Sequence, residues 1–174
     1  MPVVYMSVSY PNMIHDDWLF LGDVSHSRSA EVVNNLGITH VVNACNMPRS
    51  NWFEYRENKP VKYFTVSVDD DVDVDISRFF EEAHAFISAA RRESADHKVL
   101  VHCMAGVSRS TSLLLYFMMR EHDWPLQQCF AWVKERRRIV APNPSFRDQL
   151  LEAERKLRGS NSFTREEFMR MSPW

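Results

Sequence analysis

The sequence predicts an α/β sandwich built on a mostly parallel sheet. Two observations lead there. Short apolar runs alternate along the chain with segments whose apolar residues recur at helical spacing. A chain of 174 residues, 45% of them hydrophobic and without internal repeats, can also form one sizeable core.

"WLFLG" (18–22) reads as the first strand. Ala30–Leu36 is a helix that Gly37 ends in a left-handed cap, and "ITHVVNAC" (38–45) is the strand after it. A polar loop over 46–60, carrying Arg49, Trp52 and Phe53, leads to the strand "VKYFTVSV" (61–68) and the acidic run "DDDVDVD". Asp75 caps the next helix, where Phe79, Phe80, Ala83, Phe86, Ile87 and Ala90 recur at helical spacing and Arg91 and Arg92 suit the C-terminal end. Val99–Val101 is a buried strand, and "STSLLLYFMM" (110–119), apolar on nearly all sides, is a central buried helix. Pro125 opens a helix with Leu126, Cys129, Phe130 and Val133 on one face. Pro142, Pro144 and Ser145 interrupt before a last long helix with Phe146, Leu150, Ala153 and Leu157, and "TREE" (164–167) starts one more turn as a capping box.

Charge and cysteines narrow the class. A formal net charge of −2 gives no general attraction to nucleic acid or an anionic membrane, so any preference for anions must come from a local site. Three cysteines, Cys45, Cys103 and Cys129, fit neither a disulfide framework nor a structural zinc site, and a reducing compartment is the simpler home. No run reaches the roughly 18–20 apolar residues of a spanning helix, and the start "MPVVYMSVSYPN" lacks a basic segment leading into an apolar one. Pro2 does not suit myristoylation, nor Trp174 prenylation. The expectation is a soluble cytoplasmic protein with no nucleic-acid or membrane partner. "KERRR" (134–138) is a patch for an acidic substrate, a weak nuclear signal or, more simply, a solvated helix end complementing its dipole.

The chemistry concentrates in "VLVHCMAGVSRS" (99–110). A strand feeding a helix makes 103–109 a loop at the C-terminal edge of the sheet, where open α/β sheets bind ligands. Its amides converge, Gly106 tolerates the positive φ of a tight loop, and the helix N-terminus adds its positive end, so an anion is the natural occupant. Arg109 can grip two phosphate oxygens in a bidentate manner. The same field favours a thiolate at Cys103, a nucleophile aimed at phosphorus. A nucleotide P-loop would need a Gly-Lys-Ser/Thr end, which is absent.

"HCMAGVSRS", with "WLFLG", "GITHVVNA" and "APN" in order, resembles the small dual-specificity phosphatases of the protein tyrosine phosphatase superfamily. The resemblance implies a mixed, largely parallel sheet of about five strands flanked by helices. It divides the chain into an N-terminal extension (1–15), a catalytic domain (16–158) and a polar tail (159–174). It implies that Cys103 forms a phosphocysteine while Arg109 and the amides of Met104, Ala105, Gly106, Val107, Ser108 and Arg109 hold the phosphoryl oxygens, with no metal or cofactor. Ser110 would donate to the Cys103 sulfur, and His102 would orient the loop. The general acid in such enzymes follows a strand ending apolar-x-apolar, which maps Val66-Ser67-Val68 onto Asp70, with Asp71 as the alternative.

Where the family often has Arg-Pro before its Pro-Asn, this chain has Arg137-Arg138 followed by Pro142-Asn143; Asn143 either buttresses the phosphate loop or caps a loop. The loop over 46–60 is longer than usual, so that Arg49, Trp52 and Phe53 border the pocket, or Trp52 and Phe53 join the core. Cys45 ends "VVNAC" much as Cys103 ends "VLVHC". By the family fold it lies on an adjacent strand, either as a small buried residue or as a redox partner for Cys103. With no lysine in the phosphate loop, a phosphoprotein substrate is favoured over a phosphoinositide. The rival readings are a non-protein phosphomonoesterase and a catalytically dead phosphate binder.

Overall fold

A computed structural model describes residues 9–171 apart from Pro48, Arg56, Asn58 and Lys59. Pro2 and Trp174, and with them the lipidation readings, lie outside the described residues. Strands β1 (Asn12–His15), β2 (Leu19–Asp23), β3 (His40–Asn43), β4 (Lys62–Thr65) and β5 (Val99–Cys103) form one sheet in the order β1-β2-β5-β3-β4. β1 runs antiparallel to β2 and the other pairings are parallel, so the sheet is mixed and largely parallel, as expected.

Residue alternation along the strands builds two cores. Leu19, Leu21, Val42, Val99 and Val101 face the larger one, with α3 (Phe80–Glu93), α4 (Arg109–His122), α5 (Leu126–Arg136), α6 (Pro144–Arg158) and α7 (Arg165–Arg170). Phe20, Val41 and Leu100 point the other way, packing with Val33 of α2 (Ala30–Leu36), Ile38 and Val61. Ten of the first eleven residues of α4 are apolar or small hydroxyl residues, and every residue from Arg109 to Met119 is buried. That suits a helix packed against β5 on one side and α3, α5 and α6 on the others.

The punctuation behaves as its chemistry demands. Gly37 ends α2 at φ +71° and Thr164 with Glu167 forms the expected capping box on α7. Asp75, expected to cap α3, instead accepts from the Ser77 N–H at 3.0 Å in a preceding 3₁₀ turn (Ser77–Phe79), and α3 itself starts after Phe79 without a side-chain cap. Two elements escaped the sequence reading. β1 buries only Ile14 fully, too little for an alternation to register. The short helix α1 (Val24–Arg28) is held by a box in which Asp23 takes the N–H groups of Ser25 and His26 while His26 Nδ1 accepts from the Asp23 N–H.

The divisions drawn at residues 16 and 158 do not coincide with changes in packing. β1 is a sheet strand, and beyond Gly159 the rings of Phe163 and Phe168 stack 4.8 Å apart, buried beside Phe130. The fully buried Glu154 accepts from the N–H of Leu126 at the start of α5 and from that of Ser162, and Arg147 donates to the carbonyls of Pro142, Phe168 and Met171. Polar composition hides this docking because two phenylalanines carry it.

Candidate active site

β5 ends at Cys103 and α4 begins at Arg109, so the five residues between them cross the C-terminal edge of the parallel strands. Gly106 permits the crossing. It sits at φ +65°, and a Cβ there would lie 2.3 Å from the Gly22 carbonyl oxygen and 2.7 Å from an Arg137 nitrogen, so both conformation and space require glycine. Cys103 is 2% exposed and its sulfur accepts from Ser110 Oγ at 3.2 Å. Burial on its own would raise the thiol pKa. Hydrogen bonds from the Ser110 side chain and from the amides of Ser110 and Val107, together with the Arg109 charge, outweigh it and bring the pKa below the ordinary cysteine value.

Arg109 is buried and held by a hydrogen bond from one terminal nitrogen to the Val68 carbonyl at 3.1 Å, while its Nε is buried without a hydrogen-bond partner. A buried unpaired guanidinium N–H calls for an anionic acceptor. Asp70 lies beside it, Oδ2 being 3.9 Å from Arg109 Nε, and its Oδ1 accepts from Ser108 Oγ at 2.7 Å and Asn143 Nδ2 at 2.8 Å. The Asp71 carboxylate instead accepts from the Asp73 N–H within its own turn. Of the two candidate acids, Asp70 is the one brought against the loop.

The Asn143 side chain caps a helix and holds Asp70, and its backbone alone touches the phosphate loop. Its Oδ1 caps α6 on the Phe146 N–H, its Nδ2 holds Asp70, and its backbone N–H donates to Ser108 Oγ at 3.0 Å. His102 is fully buried, with Nδ1 3.4 Å from the Cys103 carbonyl; burial pushes its pKa to about 4, so it is neutral and structural. Met104 and Ala105 are exposed at the rim and Val107 is half-buried. In the loop over 46–60, Phe53 packs on the smaller core, while Trp52 stays exposed with the Arg28 guanidinium 5.3 Å from its ring. Asn46 donates to Asp69 at 3.1 Å, tying the start of that loop to the segment carrying Asp70.

Cys45 lies next to this chemistry. Asn43 pairs in register with His102, which sets Ala44 opposite Cys103 and turns Cys45 towards His102, whose Nδ1 is 3.8 Å from its sulfur. Burial and then the neighbouring Cys103 push the Cys45 thiol up to about 11, and burial takes Cys129, on the core face of α5, up to about 12. Cys103 alone of the three is shifted towards the thiolate.

One residue was misjudged. Arg137, read within "KERRR" as part of a solvated helix end, is 8% exposed. Its Nε donates to the Gly106 carbonyl and one terminal nitrogen to the Ala105 carbonyl, both at 2.8 Å, while the other reaches Asn12 Oδ1 at 2.8 Å and Asp23 lies 3.8 Å away. Holding those carbonyls from behind fixes the peptide planes of the phosphate loop. Nothing in the spacing of three consecutive arginines distinguishes the one that turns inward. Arg136 stacks on Trp132, 3.4 Å from its ring centroid.

Residues 19–156 match the catalytic domain of the dual specificity phosphatases. The chain belongs to that family. It is 38% identical over 138 residues to human dual specificity protein phosphatase 1, a match covering 79% of this chain and 35% of that protein. It is 37% identical over 141 residues to the Drosophila melanogaster dual specificity protein phosphatase Mpk3, covering 80% and 33%. The chain thus spans about a third of the length of these curated relatives. Among solved structures, human DUSP28 superposes with a TM-score of 0.75 at 28% identity, covering 84% of this chain and 94% of that one. DUSP15 gives 0.74 at 25% identity, covering 95% and 99%. The phosphatase fold and the loop that defines the family are therefore both present.

Proposed function

We propose that this domain hydrolyses phosphomonoesters on proteins, phosphotyrosine and phosphoserine or phosphothreonine alike, through a phosphocysteine. The observation that carries the reading is the Cys103 sulfur, buried at the floor of an amide-lined loop, with its pKa lowered and an unpaired Arg109 N–H beside it. The thiolate attacks phosphorus, forming an S–P bond as the P–O bond to the substrate breaks. Arg109 and the loop amides hold the oxygens on which charge is spread. Asp70 gives its proton to the departing oxygen. It then takes one from a water that attacks phosphorus, and the S–P bond breaks to return the thiolate, which Ser110 Oγ stabilises.

A phosphorylated side chain suits this pocket better than a phosphoinositide. The loop carries no lysine, and its rim presents the apolar Met104, 44% exposed. The test is turnover on matched phosphotyrosine and phosphothreonine peptides and soluble phosphoinositides. Hydrolysis of both peptides, abolished by Cys103→Ser with phosphate still bound, is expected. Preference for the inositol phosphates, or no turnover of any phosphomonoester, contradicts the reading.

A further inference from the structure

At the edge of the sheet opposite the catalytic loop, three side chains from separate segments converge. His40 opens β3, Glu93 ends α3, and His97 lies in the connection from α3 to β5. A ring nitrogen from each histidine and a carboxylate oxygen of Glu93 lie within 4.8 Å of one another; among the described residues no other three such side chains come so close. The strands run from this edge towards the phosphatase site. Cys103 is four residues along β5 from Val99, the residue in register with His40, or roughly 13 Å.

Hydrogen bonds hold both rings in place. Thr39 Oγ1 accepts from the Lys98 N–H at 3.0 Å and lies 2.8 Å from His40 Nδ1, holding that ring in place. His97 Nδ1 lies 3.1 Å from the Ala90 carbonyl, which can only accept. Neither Nε2 has a protein hydrogen-bond partner among the described residues, and His97 Nδ1 also lies 3.8 Å from Glu93 Oε2. A ring nitrogen held on a backbone or hydroxyl oxygen is the kind of outer contact that orients a metal-binding histidine. His40, Thr39, Lys62 and His97 also line a cleft of about 520 Å³ that can admit a hydrated ion.

We propose that His40, His97 and Glu93 bind one divalent cation of the zinc class, with water in the remaining position facing the cleft. Two imidazoles and a carboxylate make a three-ligand set typical of zinc with an open fourth place. Ligands around a tetrahedral zinc sit about 3.3 Å apart, so the groups need close by no more than about 1.5 Å. The competitor is Lys62, whose ammonium holds Glu93 at 2.8 Å. Both side chains of that pair are about half exposed, so the lysine is free to swing into water when the ion enters. The ion fastens the end of α3 and the following connection to the first residue of β3.

Co²⁺ is the probe, in a Cys103→Ser background that removes the reactive thiolate. Visible d–d absorption without a thiolate charge-transfer band is expected, together with a rise in Tm on adding Zn²⁺. His97→Ala or Glu93→Gln, both at accessible positions that spare the buried His40, should weaken binding by ~100-fold or more, and Thr39→Val by ~10- to 100-fold through loss of the orienting bond. Lys62→Gln should tighten it by removing the resident charge. No cobalt spectrum, or a spectrum that persists in both the His97 and Glu93 variants, overturns the proposal.

Discussion

Replacing Arg137 by methionine keeps much of the buried stem and removes the guanidinium that grips the phosphate loop from behind. Three 2.8 Å hydrogen bonds disappear: those to the carbonyls of Gly106 and Ala105 and to Asn12. Ala105 is exposed and its carbonyl can turn to water, but Gly106 is buried and its carbonyl cannot. A buried group left unsatisfied costs ~1–3 kcal/mol, and the lost charge-assisted bonds add to it, so the expected destabilisation is about 2–4 kcal/mol. At ~2–4 °C per kcal/mol for a domain of this size, Tm should fall by roughly 5–15 °C. The amides facing the phosphate remain but lose their anchor. The expected fall in kcat is therefore ~10- to 100-fold, less than for deleting an oxyanion donor outright. Arg137→Lys should fall between, since an ammonium cannot reproduce the planar fork. Thermal unfolding monitored by circular dichroism, with aryl phosphate kinetics measured well below the variant's Tm, separates the two effects. A lower Tm with unchanged kcat would show that Arg137 is structural only, and an unchanged Tm would refute the reasoning altogether.

Asp70→Asn should lower kcat by roughly 10²- to 10⁴-fold on poor leaving groups; Asp71→Asn should do much less. Reversed effects would move the acid by one residue. The low-pH limb of the pH–rate profile belongs to the Cys103 thiol, whose lowered pKa keeps the thiolate present below the ordinary cysteine range, and in Ser110→Ala that limb should move to higher pH because a hydrogen bond to the sulfur is lost. An unmoved limb would mean that Ser110 only packs. Peroxide should oxidise Cys103 to the sulfenic acid, and attack by the Cys45 thiol should then release water and form a disulfide that dithiothreitol reverses. Because Cys45 is turned towards His102, the end of β3 must shift for the bond to form. No crosslink in peptide maps, with unchanged recovery in Cys45→Ser, would refute this.

The site was legible where local chemistry is dense. An apolar strand, His102-Cys103, Gly106, Arg109-Ser110 and an apolar helix are contiguous, and each needs only its neighbours to make sense. Asp70 and Asn143 were legible as candidates but not as partners, since the hydrogen bond between them joins positions 73 residues apart in the chain. Arg137 was not legible, because what turns it inward is the position of the Gly106 carbonyl, a tertiary fact without periodicity. β1 and the docking of Phe163 and Phe168 were lost for a similar reason: one isoleucine on an edge strand, or two aromatics in a polar segment, produce no stripe.

The account turns on whether Cys103 becomes phosphorylated during turnover. Rapid acid quench of the Asp70→Asn variant mixed with a phosphate ester bearing a good leaving group, followed by intact mass and peptide mapping, reads this directly. Loss of the acid slows dephosphorylation when water must be deprotonated, so the intermediate should accumulate with one phosphoryl group per chain on the peptide containing Cys103, and be absent from Cys103→Ser. Turnover with no phosphoryl group on that peptide, or with phosphate on another residue, would contradict the mechanism.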